Sequence, residues 1–133
     1  MYLIFIKKCM LDNQPIMAFV ATADAAKARP FYEDVLGLTV RASDPYGINF
    51  GQGDKYLRMS VIRDFKPAPY SVLSWVVEDI KKMIAALTVK GVVFERYEGL
   101  GQDDAGIWAA PDGTKVAWFK DTDQNVLSLT QFK

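Results

Sequence analysis

Ser71-Val72-Leu73-Ser74-Trp75-Val76-Val77-Glu78-Asp79-Ile80 opens the stretch that decides the fold, and Gly91 closes it. Residues 71–77 are an apolar run of strand length that ends at two acidic residues. Asp79 is of the type that caps a helix N-terminus, because its short carboxylate reaches the first free backbone N–H groups. Ile80, Met83, Ile84 and Leu87 then fall at i, i+3, i+4 and i+7, one apolar stripe of a helix. Gly91 supplies the left-handed stop. The same order occurs about 55 residues earlier: a strand over 16–22, Asp24 as cap, Ala28, Phe31 and Val35 at helical spacing, and Gly37 as stop. Pro30 lies inside that first helix and removes a backbone donor, which predicts a kinked or late-starting helix.

Three extended runs follow each helix. In the first half they are 38–42, 47–51 and 56–62, with turns at Asp44-Pro45 and 51–54. In the second they are 92–96, 115–120 and 126–132. The chain therefore reads β-α-β-β-β twice, an α+β architecture duplicated in layout rather than in sequence. The modules span about 16–65 and 71–133, divided by the Pro-containing stretch 66–70, and together form one domain. Residues 1–15 are an N-terminal extension, either a stray prefix or an added edge strand.

Composition removes several functions. The 133 residues carry 16 Lys plus Arg against 16 Asp plus Glu, so no net charge favours nucleic acid or an anionic membrane. There is no His, which excludes Ser-His-Asp and Cys-His catalysis and every His-ligated metal. The single cysteine, Cys9, allows no internal disulfide and fits a reduced, cytoplasmic setting. No apolar run is long enough to span a bilayer, and the charges at Lys7 and Lys8 follow the first apolar run, the wrong order for a secretion signal.

Two motifs carry a family resemblance. Phe31-Tyr32-Glu33-Asp34-Val35-Leu36-Gly37-Leu38 ends the first helix, and Asp121-Thr122-Asp123-Gln124-Asn125-Val126-Leu127 leads into the last strand. With Val76-Val77-Glu78-Asp79-Ile80 and Gly91-Val92 they make residues 16–133 similar to the vicinal oxygen chelate superfamily, which includes glyoxalase I, extradiol dioxygenases and bleomycin resistance proteins. Thr122 and Gln124 stand where that family usually has Pro and Gly. The resemblance implies two modules forming a curved, half-barrel-like mixed sheet with helices at about 24–36 and 79–90 on its outer face. It also implies a homodimer.

Metalloenzymes of that superfamily hold their ion from the first and last strand of each module. Carried over, the ligand positions are Met17, Arg58 or Ser60, Val72 and Ser128. These side chains cannot replace the oxygen and nitrogen donors that a divalent cation needs, so no metal and no cofactor are expected. The Asp121-x-Asp123-x-Asn125 turn imitates the start of a calcium loop, but Val126 and Phe132 stand where that loop needs Gly and Glu. Asp103-Asp104 reads as solvated surface. Gly99-x-Gly101 lacks the strand and helix of a phosphate cradle.

Strand alternation assigns the faces. Met17 and Phe19 share one face of the first strand, Arg58 and Ser60 one face of the fourth, Val72 and Ser74 one face of the fifth, and Ser128 and Thr130 one face of the last. With Trp108 and Trp118 they make a wall suited to a small organic molecule. Each has a plainer reading: hydroxyls on strands are commonly solvated, Arg58 suits a surface ion pair, and Trp108, in a loop about fifteen residues longer than its counterpart, is either a lid or a hydrophobic plug. Three functions stay open. The first is a metal-free binding protein that sequesters its ligand. The second is a metal-independent enzyme, such as a lyase or isomerase, whose catalytic residues no spacing singles out. The third is a partner-binding domain with a vestigial site.

Overall fold

The computed structural model describes residues 10–133, so residues 1–9 of the N-terminal extension lie outside the described residues. The first module runs β1 (Met17–Thr22), α1 (Ala25–Pro30), a π-helical turn (Phe31–Val35), β2 (Val40–Asp44), β3 (Gly47–Phe50) and β4 (Tyr56–Val61). The second runs β5 (Ser71–Val76), α2 (Ile80–Val89), β6 (Trp108–Ala109), β7 (Lys115–Lys120) and β8 (Val126–Gln131). Each module makes one mixed four-stranded sheet, in the orders β1-β4-β3-β2 and β5-β8-β7-β6. The first and last strand of each module pair in parallel, and the remaining ladders are antiparallel. The duplicated β-α-β-β-β layout is thus present in both halves.

Local chemistry accounts for the elements. Asp24 and Asp79 accept from the Lys27 and Lys82 N–H groups at 3.2 and 3.1 Å, as helix caps do. Gln131 adds a second cap to α2, accepting from Ile80 N–H at 2.8 Å. Pro30 does not end its helix. It has no N–H to give, and the ladder re-forms beyond it in a wider register, Leu36 N–H to Phe31 C=O at 2.9 Å. The widened turn leaves Tyr32 fully buried, with Phe31 packed beside the core.

One expected strand is corrected. Residues 92–96 form only an isolated bridge, Phe94 to Phe119, and the strand role beside β7 passes to Trp108–Ala109. Val92 N–H is already turned back onto Leu87 C=O, finishing the helix, so the run starts out of position for a ladder.

A single apolar core joins both sheets and both helices. Phe50, Met59, Phe119 and Leu127 come from the sheets, Tyr32 and Ile80 from the helical segments, and all are buried. Side chains of this size contribute about 1.5–3 kcal/mol each on burial. Phe119 stands at the centre, with Phe31, Trp75 and Phe94 rings 5.5–6.4 Å away. The helices cover one face of each sheet, and the opposite faces are open.

The turn before β8 fastens the modules together. Asp121 accepts from Tyr32 Oη at 2.5 Å, and its other oxygen accepts the N–H groups of Asp123 and Asn125. Asn125 Nδ2 donates to Ala21 C=O at 2.8 Å. Asp123 accepts from Thr22 Oγ1 at 2.6 Å and Ala23 N–H at 3.0 Å. Gln124, at φ 70°, closes the turn in a conformation that glycine adopts most readily. Expected as a local turn, this segment is a clasp that reaches back across about 100 residues.

Candidate functional site

The ten candidate residues lie in two patches on the faces turned away from the helices, Ser128 buried within its own. Register places Phe19 beside Arg58 and Ala21 beside Ser60, with Met17 one step along β1. On the second sheet Ser74, Ser128 and Trp118 form one cross-strand row, and Thr130 and Val116 lie in the next, with Trp108 opposite Val116. Val72 sits at a register shift at the start of β5. Strands β1, β5 and β8 stand between Arg58 and Trp118, so the structure does not bring the arginine and the indoles together within one sheet.

Several expected polar handles are occupied. Arg58 donates to both Asp44 carboxylate oxygens at 3.2 Å and to Asn49 Oδ1 at 3.0 Å, while its side chain is largely covered. The Arg58 hydrogen bond, with Tyr46 N–H, holds the Asp44 carboxyl below the usual carboxylate range. Ser128 Oγ, buried, shares a hydrogen bond with Ser71 Oγ at 2.8 Å, and Ser74 Oγ shares one with Thr130 Oγ1 at 2.7 Å. The hydroxyls therefore satisfy one another across the β5–β8 pair.

These side chains do not fit a divalent cation. Met17 offers a soft thioether and Val72 no donor, Arg58 is a cation already paired, and the Ser128 hydroxyl is engaged. Among the described residues no three acidic or thiol side chains converge elsewhere.

What remains is aromatic. The Trp108 and Trp118 ring centroids are 6.3 Å apart, and Tyr97 meets Trp118 edge-on at 5.5 Å. The segment around them is laced to itself. Gln102 Nε2 donates to Glu95 and Gly106 C=O, its Oε1 accepts from Tyr97 N–H, and Asp103 accepts from Ala105 and Ile107 N–H. Arg96 donates to the Asp103 and Asp104 carbonyls. Trp108 is a half-buried residue of the edge strand β6, its ring beside that of Trp118. Partial burial, with the Glu95 charge adding to it, raises the Tyr97 hydroxyl pKa.

Sequence reasoning missed Asp44 and Asn49 as Arg58 partners, Tyr97 as the third ring, and two cavities on the helix side. Only Asp44 had a local signal, as an acidic residue at a strand end.

No protein-family model matches the chain, and no curated protein matches it. Solved structures do. A glyoxalase family protein from Enterococcus faecalis superimposes with a TM-score of 0.68 at 22% identity, over 91% of this chain and 98% of that one. Lactoylglutathione lyase from Agrobacterium tumefaciens gives 0.67 at 16% identity, over 87% and 92%. A glyoxalase/bleomycin resistance protein/dioxygenase from Alicyclobacillus acidocaldarius gives 0.62 at 17%, over 90% and 92%. At these identities the likeness is one of fold, and the chain has the paired β-α-β-β-β fold of the glyoxalase/bleomycin resistance/dioxygenase proteins.

Proposed function

We propose that this protein binds and sequesters a flat organic molecule on its open sheet faces without a metal ion, in the manner of a bleomycin resistance protein. The observation that carries this reading is the Tyr97–Trp118–Trp108 cluster on the second sheet. Aromatic rings held in place by a ladder and a laced loop give contact area at little entropic cost. The residues at the family's ligand positions support a site that works by contact rather than coordination. Apolar side chains left uncovered on the same faces, Phe19 at 62% and Val76 at 67% exposure, suit a homodimer in which a second copy completes the enclosure.

Native mass spectrometry of protein purified without added ligand reads both features. The expected spectrum is a dimer carrying an organic adduct, and the adduct is lost in Trp108→Ala. That substitution should weaken rebinding of the recovered adduct at least tenfold, about 1.4 kcal/mol, with little change in melting temperature. A Trp108→Ala protein that melts far lower yet binds unchanged would refute the site. Conversion of the adduct on incubation would favour the metal-independent enzyme instead.

A further inference from the structure

We propose a second ligand site on the opposite, helix-covered side: a crevice between the modules that takes a medium-chain carboxylate, its head at Lys55 and its chain running past Trp75. Two cavities of about 370 and 270 Å³ meet there, sharing Leu38 and Trp75 as lining. Either lies at or near the lower end of the 300–1,000 Å³ typical of small-molecule sites. A chain running from one to the other would pass the shared side chains of Leu38 and Trp75.

The two ends differ in chemistry. The smaller cavity is walled by side chains such as Met83, Leu87 and Phe119 and is mostly apolar. The larger cavity has an apolar floor that includes Leu57 and Leu73, and a mouth formed by Thr39, Gln52 and the turn at Lys55. That mouth is electropositive. Arg41 donates to the Gly53 and Lys55 carbonyls and lies 4.3 Å over the Tyr56 ring, and among the described residues Lys55 pairs with Asp54 alone, at 3.5 Å with both side chains exposed. Lys55 thus lines the slot, with Arg41 behind it on the same turn and Asp54 as the one carboxylate beside them. An apolar chain with an anionic head matches that polarity, because the chain leaves water while the head stays at the solvated, basic end.

Local contacts shape the mouth. Gly51 has φ 124°, and a Cβ there would run into the Lys55 carbonyl. Gln52 Nε2 donates to Thr39 Oγ1 at 2.9 Å, tying the turn to the segment that follows the π-helical turn. Tyr97, Trp108 and Trp118 line neither cavity, whereas Val76 of the exposed face lines the smaller one, so Trp108→Ala is the variant that separates this site from the proposed function.

The probe is sodium decanoate, titrated by calorimetry and by the Trp75 indole N–H resonance. One saturable equivalent per chain is expected, with decanol binding at least tenfold more weakly and Lys55→Glu costing decanoate at least tenfold. Leu38→Trp should fill the space beside the lining that both cavities share and abolish binding; if it does not fold, Thr39→Trp in the lining of the larger cavity serves the same purpose. Trp108→Ala should leave decanoate binding intact. No saturable heat, equal affinity for decanol, several equivalents per chain, or loss of binding on Trp108→Ala would each overturn the proposal.

Discussion

Tyr32 shows how one side chain gathers several physical effects. It is fully buried, stacked on Phe50 at 5.7 Å, and donates to Asp121 at 2.5 Å. Burial first, and then the Asp121 charge, push its hydroxyl well above the ordinary tyrosine value. The folded pKa therefore exceeds the unfolded one. Its contribution to stability is fully present below about pH 10 and is lost as the pH rises above that, because only the unfolded chain then ionises readily. Tyr32→Phe should lower stability by about 1.5–3 kcal/mol at neutral pH, the range for a hydrogen bond to a charged group. It should also flatten the alkaline decline, measured by urea unfolding at neutral pH and just above pH 10. An equally steep decline in the variant would move the effect elsewhere, with Tyr97 the next group to test. None of this was legible from Phe31-Tyr32, which announced only aromatic area at a helix end. The partner lies 89 positions away.

Elements were legible where their signals are local. Asp24 and Asp79 act as caps, and Gly37 and Gly91 have the positive φ expected of helix stops, because each depends only on backbone within a turn or two. Strand faces followed from alternation: Leu57 and Met59 are buried while Tyr56 is exposed. What failed were features that depend on pairing. Residues 92–96 have strand composition, yet the edge of β7 is taken by Trp108–Ala109. The Ser71–Ser128 bond depends on the register shift in β5, which no periodicity announces. At Pro30, where a kink or late start was expected, the α-helix gives way to a π-helical turn, a form that composition alone does not announce. For the longer helix a quantitative expectation follows. Asp79→Ala removes the bond to Lys82 N–H but leaves the Gln131 cap on Ile80 N–H. The cost should be near 1 kcal/mol, or roughly 3–5 °C in melting temperature for a domain of this size. A fall several times larger would show that Gln131 cannot hold the helix start alone.

At the scale of the whole molecule, the question is why two modules with separate sheets behave as one body. The sheets share no ladder; β1 and β5 merely approach one another at their edges. Cohesion comes from the common core around Phe119 and from the clasp of Asp121, Asp123 and Asn125 on the first module. Thr22, fully buried, has its shortest hydrogen bond to Asp123, at 2.6 Å. A module opened on its own would expose that core face and leave Thr22 and Tyr32 without their cross-module partners. Partial unfolding therefore lacks a stable product, and thermal melting should be one transition, coincident by near- and far-ultraviolet circular dichroism. Asp123→Ala should lower the midpoint while keeping a single transition, at a cost of about 1–3 kcal/mol for the buried hydroxyl it strands. A double-mutant cycle with Thr22→Val should return a coupling of about 0.5–3 kcal/mol, since the pair is in direct contact. Two separated melting steps in the unaltered protein would refute the shared core. A coupling near zero would show instead that the clasp only records the packing of the two modules and does not strengthen it.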